Sequence, residues 1–352
     1  MLGGIRLVLF STRSLPYIGG MEFRNLGSTG LLVSAISFGA GPVSQLLVGQ
    51  NQLAQRSTVE QALELGINWF DTAATYGEGQ SEENLGRTLA ELGATGRVHV
   101  ASKVRVMPHQ LTEIGRTVRD SVMASLKRLR LERMALLQIH NSITEQVGEQ
   151  PTSISPAHVL AADGVLDTMQ KLQQEGLIEH LGLTGLGDPR ALTEVIETGA
   201  FAAIQIPYNL LNSSAGRHVQ DSFPEDNYGN LITLCGQRNM GVFAIRVLAG
   251  GALAGQPPSP HTLKTPFFPL DLYRRDCARA RKLSALLPQG VVLEEAAVRF
   301  ALSHSAVTSA IVGFATPEQV FEIADYAAHG PLDSRLLARL NDDIPPETPS
   351  GN

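Results

Sequence analysis

Cysteine is nearly absent from this 352-residue chain: Cys235 and Cys277 are the only two. Two isolated cysteines supply neither a disulfide framework nor the paired spacing of a zinc site. No apolar run reaches the roughly 18 residues that a membrane-crossing helix needs. Charge is sparse too, at 18% of residues, with a formal net charge of -6 and no basic block. A mild acidic excess argues against nucleic acid or an anionic membrane as the main partner. Chemical motifs are missing as well. There is no H-x-H or H-E-x-x-H for a zinc hydrolase and no G-x-S-x-G nucleophile elbow. No G-x-G-x-x-G follows the first apolar run, where a dinucleotide-binding open sheet would carry it.

What is present is a repeated alternation. Short apolar runs recur at "AISFG" (35–39), "INWFD" (67–71), "VHVASK" (98–103), "MALLQIH" (134–140), "IEHLGLTG" (178–185), "AAIQIPY" (202–208), "GVFAIRV" (241–247) and "TSAIVG" (308–313). Each is followed by a stretch with helical periodicity, so the pattern predicts a parallel sheet. Eight such units at this length predict a closed (β/α)8 barrel, with the doubly wound open sheet as the alternative. Glycines in "LGINWF", "QQEGLIEH" and "RNMGVF" stand between a helix end and a strand, where an αβ turn needs positive φ. "FRNLGSTGLLVS", with turn glycines at 27 and 30, predicts a small hairpin plugging the barrel's bottom. Residues 141–163 and 248–272 are too long for ordinary connections and are expected to form lids or clasps on the C-terminal face.

The first twenty residues, "MLGGIRLVLFSTRSLPYIGG", contain an apolar stretch too short and too poorly flanked for a secretion signal, and no A-x-A site follows. A second start-like stretch opens at Met21. Residues 1–20 are therefore expected to be a leader outside the fold, 21–335 a single barrel domain and 336–352 a C-terminal tail. Cytoplasmic location is expected. No coiled-coil heptad stands out, and the oligomeric state stays open.

Three consecutive strands end in ionisable residues: Asp71, Lys103 and His140. In a barrel all three face one rim, and Tyr76, five residues beyond Asp71, can fold back over it. Each has a plainer reading: a structural ion pair, a core histidine, a loop aromatic. Together they make a device. A free phenol is too weak an acid to release its proton readily at neutral pH. A nearby lysine cation favours the phenolate, and a carboxylate fixes that lysine and limits the cost of burying it. An imidazole with a donor nitrogen can orient a carbonyl oxygen. Such a set would protonate that oxygen while a nucleophile such as hydride attacks its carbon.

Residues 21 to 330 resemble the aldo-keto reductase superfamily. The matching motifs are "GINWFDTAATYGEGQSEENLG", "VASKV", "VRDSVMASLKRLRLERMALLQIH", "LQQEGLIEHLGLTG" and "IQIPYNLL". The resemblance implies that Asp71, Tyr76, Lys103 and His140 are the catalytic tetrad. Tyr76 would act as general acid in carbonyl reduction and as general base in alcohol oxidation. It implies hydride transfer with NADP or NAD and no metal. By the same resemblance Thr184, Gly185 and Gln205 stand where the family holds the nicotinamide carboxamide, with the usual Asn replaced by Gly185. Ile245 replaces the usual stacking aromatic. Arg246, with Leu248 and Gly250 in the same loop, could reach the pyrophosphate.

At the adenosine end, "IVGFATPEQVFEIAD" offers Gly313, Thr316, Gln319 and Glu322 but no Lys or Arg for a 2′-phosphate. Weak preference for NADPH, or use of NAD, is therefore expected. The implied function is an NAD(P)-dependent oxidoreductase of small carbonyl or sugar substrates. "GLTGL" (182–186) also resembles NAD-dependent sugar dehydrogenases such as L-galactose dehydrogenase. Two further alternatives stay open: a non-catalytic nicotinamide-binding regulatory subunit, and an unrelated barrel acting on a phosphorylated substrate.

Overall fold

A computed structural model describes residues 20–342. Residues 1–19 of the expected leader and 343–352 of the expected tail lie outside the described residues. The chain opens with a hairpin of β1 (Phe23–Asn25) and β2 (Leu32–Ser34), paired antiparallel. Then β3 (Ile36–Gly39), α1 (Gln52–Glu64), β4 (Trp69–Asp71), α2 (Gln80–Glu91), β5 (His99–Val104), α3 (Ile114–Leu129) and β6 (Met134–Ile139) follow. After β6 come α4 (Pro156–Leu160), α5 (Val165–Gln174), β7 (Ile178–Thr184), α6 (Pro189–Glu197), β8 (Ala203–Pro207), α7 (Leu231–Gln237) and β9 (Gly241–Ile245). The last elements are α8 (Leu270–Ser284), α9 (Leu293–Ser303), β10 (Ser309–Gly313), α10 (Pro317–Ala328) and α11 (Ser334–Asp342).

Strands β3 to β10 form a closed barrel in which every pairing is parallel. Closure, through β10 pairing with both β3 and β9, rules out the open doubly wound sheet. The period-2 geometry of a strand sends alternate side chains to opposite faces. On β4, Phe70 points out to the helices and stacks on Phe38 at 5.3 Å between ring centroids. Trp69 points in, 4.8 Å from the Phe243 ring. Trp69, Ala101, Leu136, Ala203, Phe243 and Ile311 form an apolar floor inside the barrel, completed by Leu26 and Val33 of the hairpin. The interior is thus mainly apolar at its base, with the buried Ser37–Ser309 hydroxyl pair, 2.6 Å apart, as a polar contact there.

Two of the three turn glycines, Gly66 (φ +84°) and Gly176 (φ +77°), are left-handed as expected. Gly241 is not; Asn239 (φ 51°) makes that turn instead. Gly241 serves close approach: a Cβ there would lie 2.3 Å from Leu26 Cδ1 of the plug. The long connection after β6 contains α4 and is pinned by bridges from Ile143 to Ile154 and to Gly187. Beyond residue 335 the chain continues in α11, where Leu340 is buried.

Overpacking the plug contact should be costly. Gly241→Ala is expected to destabilise the barrel by about 1–3 kcal/mol, with partial recovery in the Leu26→Ala/Gly241→Ala double variant. Urea unfolding checks this through the midpoint at constant slope; additive losses would contradict it.

Candidate active site

The bend after β4 is built to aim one side chain. Gly77, Glu78 and Gly79 are all left-handed in succession, which folds the chain sharply back into α2. The bend is anchored underneath. Ser81 Oγ donates to the Ala40 carbonyl at 2.8 Å and lies 2.8 Å from Thr72 Oγ1. Fully buried Glu82 accepts from Arg128 Nε at 2.7 Å and also from the Ser102 hydroxyl. This frame leaves the Tyr76 ring, half-buried, over the barrel mouth.

Under Tyr76 lies a buried ion pair. Lys103 Nζ donates to Asp71 Oδ2 at 2.5 Å, to the Thr72 carbonyl at 2.7 Å and to the Tyr76 hydroxyl at 3.3 Å. Its three ammonium hydrogens thus have three acceptors. The Asp71 Oδ1 atom accepts from Gln138 Nε2 at 3.1 Å and from Gln205 Nε2. Burial by itself would favour the neutral amine of Lys103, but the interactions with Asp71 and Tyr76 together outweigh it, so the lysine pKa is raised and the ammonium persists.

His140 stands edge-on to Tyr76, ring centroids 5.7 Å apart, with Nδ1 3.3 Å from Thr75 Oγ1. Its pKa lies well below the usual histidine value, through burial of the ring and then the positive charges of Arg105 and Lys103. The imidazole is therefore neutral at pH 7 and carries one donor nitrogen. Arg105 Nη2 donates to the His140 carbonyl at 3.4 Å. Asp71, Tyr76, Lys103 and His140 are thus brought together at one end of the barrel.

The other sequence-selected residues fall in three places. Thr184, at the end of β7, and Gln205, in the middle of β8, are buried side by side. The Thr184 hydroxyl is buried without a hydrogen-bond partner, whereas Gln205 already serves Asp71. Ile245 ends β9 half-buried. Arg246 follows with φ +55°, its guanidinium 3.8 Å above the Phe268 ring and 3.8 Å from Asp276 Oδ2. Leu248 and left-handed Gly250 belong to the same turn; a Cβ on Gly250 would lie 3.6 Å from Arg246 Nη1. Exposed Gly313 pairs with Gly39 across the barrel seam. Beyond it Thr316 caps α10, accepting from Gln319 N at 3.4 Å, and the Gln319 side chain accepts from Ala315 N at 2.8 Å. Glu322 is exposed a turn further on.

Sequence reasoning overlooked Gln138, Thr75, Arg105 and Phe267. Gln138 was legible: it lies two residues before His140, which directly follows β6, and so shares its face. Thr75 and Phe267 sit on loops, where no periodicity marks them. The loop after β9 crosses the barrel mouth, because Phe267 reaches Arg105 on the opposite wall, 5.1 Å from ring centroid to guanidinium carbon. Beside it opens a cavity of about 260 Å³ bounded by Ser142, Leu186, Asp226, Tyr228 and Phe267.

Comparison with known proteins agrees with this architecture. The model of the Aldo/keto reductase family matches residues 35–342. The chain is 28% identical to L-galactose dehydrogenase of Arabidopsis thaliana over 307 residues, covering 86% of each chain. It is 25% identical to D-threo-aldose 1-dehydrogenase of a Pseudomonas species, covering 86% of this chain and 91% of that one. The holo form of an aldo-keto reductase from Bacillus halodurans superposes with a TM-score of 0.68 at 22% identity, covering 91% of this chain and 95% of that one.

The ion pair yields a direct stability test. Asp71→Asn strands a buried ammonium and is expected to cost about 3–5 kcal/mol, whereas Asp71→Asn/Lys103→Met should recover most of it. Chemical denaturation of the three proteins measures the coupling, and a double variant less stable than Asp71→Asn alone would refute the account.

Proposed function

The chain belongs to the aldo-keto reductase family, and on that premise we propose that it transfers hydride between a nicotinamide dinucleotide and a small aldehyde, ketone or sugar. One observation carries the proposal: the Lys103 ammonium touches both the Asp71 carboxylate and the Tyr76 hydroxyl. When bound, the nicotinamide supplies or takes up the hydride at the reacting carbon. The protein's own residues handle the proton. As the Tyr76 proton moves to a carbonyl oxygen, negative charge develops on the phenol oxygen beside the fixed Lys103 ammonium, which costs little reorganisation. With the Thr75 hydroxyl donating to Nδ1, neutral His140 holds its proton on Nε2 and can donate it to the same carbonyl oxygen. Oxidation runs the same steps backward.

The residues suit a nicotinamide. The unpartnered Thr184 hydroxyl, buried beside Gln205 at the barrel mouth, offers a hydrogen bond to its carboxamide. At the other end of the dinucleotide, the N-terminus of α10 is an anion site in principle. Here its first turns carry Glu318 and Glu322 and no Lys or Arg. A 2′-phosphate dianion would meet like charge, so NAD is the preferred cofactor in this proposal. Dinucleotide affinities measured by fluorescence decide it; NADPH binding about a hundred-fold tighter than NADH, or 2.7 kcal/mol, would contradict the preference.

A second reading, aldose oxidation with NAD, is favoured by the hydroxyl–glycine pair Thr184–Gly185 and by the sugar-dehydrogenase names of the two relatives. Turnover of aldoses with NAD set against aromatic aldehydes with NADPH separates the two. Reduced, unpaired Cys235 and Cys277 support cytoplasmic location. A regulatory, non-catalytic role is separated by Tyr76→Phe. That variant should lose about 10²-fold or more in turnover while still binding dinucleotide. Absence of turnover in the parent protein, with the dinucleotide bound, would favour the regulatory role.

A further inference from the structure

Arg105 differs from the other buried or half-buried cations described at the barrel mouth. Lys103 has Asp71, Arg128 has Glu82, and Arg246 lies near Asp276. Arg275 and Arg279 share Glu225. Arg105 forms no ion pair. Its Nε is buried without a partner, and its one hydrogen bond is the long 3.4 Å contact to the His140 carbonyl. Burying a guanidinium without a counter-charge is costly, and proteins seldom accept it without a use.

The position of Arg105 supplies that use. It follows β5 by one residue and continues the alternation of Ala101 and Lys103, whose side chains face the barrel axis. It therefore stands one step above Lys103, its guanidinium anchored on His140 and close enough to Tyr76 for their charges to interact. Phe267 covers it from the crossing loop. No carboxylate is paired with it: across the mouth, Glu225 and Asp276 are engaged with other arginines.

We propose that Arg105 binds an anionic group of the substrate, and that the substrate is a carbonyl compound bearing a carboxylate or the corresponding hydroxy acid. This rests on the oxidoreductase reading above. A carboxylate fits better than a phosphate for two reasons. The planar guanidinium matches a carboxylate in a bidentate pair. The Lys103–Asp71 pair is neutral overall, so Arg105 leaves one net positive charge to meet one negative charge. In reduction the carbonyl carbon accepts the hydride pair, the carbonyl oxygen takes the Tyr76 proton, and the carboxylate is unchanged. Arg105 acts as a positioning residue that fixes the far end of the substrate and so places its carbonyl against Tyr76 and His140.

The test compares aldehydes that differ only in this charge: 4-formylbenzoate with 4-formylbenzamide, and succinic semialdehyde with its amide, using NADH and NADPH. The parent enzyme should prefer each acid by about ten- to a hundred-fold in kcat/KM, expressed mainly in KM, the range expected for a charge-assisted hydrogen bond. Arg105→Met should bring the acid-to-amide ratio towards one, and Arg105→Lys should restore part of it. Equal use of acid and amide by the parent, or a ratio unmoved by Arg105→Met, overturns this inference and leaves the oxidoreductase reading intact. Preference for glyceraldehyde 3-phosphate over glyceraldehyde without preference for the acids overturns the carboxylate assignment. Turnover of no aldehyde, with dinucleotide bound, removes the oxidoreductase reading and this inference with it.

Discussion

A lysine ammonium buried inside a barrel must be held by something, and the Asp71–Lys103 pair is the constraint around which the mouth of this protein is arranged. The attraction of two opposite charges removed from water only balances the loss of their hydration if the remaining hydrogen-bonding positions are filled. Here they are: Gln138 and Gln205 donate to Asp71, and the Thr72 carbonyl and Tyr76 hydroxyl accept from Lys103. Residues from four strands, β4, β5, β6 and β8, are tied to one pair of charges. The barrel makes this possible by presenting the ends of its parallel strands at a single rim, above an apolar floor that the hairpin seals.

The same pair explains why the phenol sits where it does. The left-handed succession from Gly77 to Gly79 returns the chain over the rim, and the Glu82–Arg128 pair holds that return from below. Tyr76 thereby meets an ammonium that is already fixed. His140, kept neutral by burial and by two neighbouring cations, adds a hydrogen-bond donor without adding charge. The division is between a charged pair that is fully screened from water and two neutral groups that face the opening.

Much of this was legible in the sequence because the signal was periodic. Short apolar runs eight times over implied the closed barrel, and their terminal residues implied a shared rim. Gln138 obeys the same period and could have been read with His140. What escaped notice depends on tertiary contact. Gly241 looks like a turn glycine in "RNMGVF", yet it is the Leu26 side chain, more than two hundred positions earlier, that excludes a Cβ there. Arg105 looks like any charged residue beyond a strand; only the absence of an acid around it sets it apart. The loop after β9 is visible as an insertion, but nothing local says that Phe267 crosses to the opposite wall. The adenosine end was legible by omission, since a helix start without Lys or Arg reads the same in one dimension as in three.

If Lys103, held by Asp71, supports proton transfer at Tyr76 and not merely the fold, its removal must slow hydride transfer. The most direct measurement is single-turnover hydride transfer in Lys103→Met, followed by the loss of dihydronicotinamide absorbance after mixing with a carbonyl substrate. The expected rate is lower by about 10²–10³-fold, as for removal of a fixed stabilising charge, with dinucleotide still bound. Hydride transfer at the parent rate in that variant would contradict this role for Lys103.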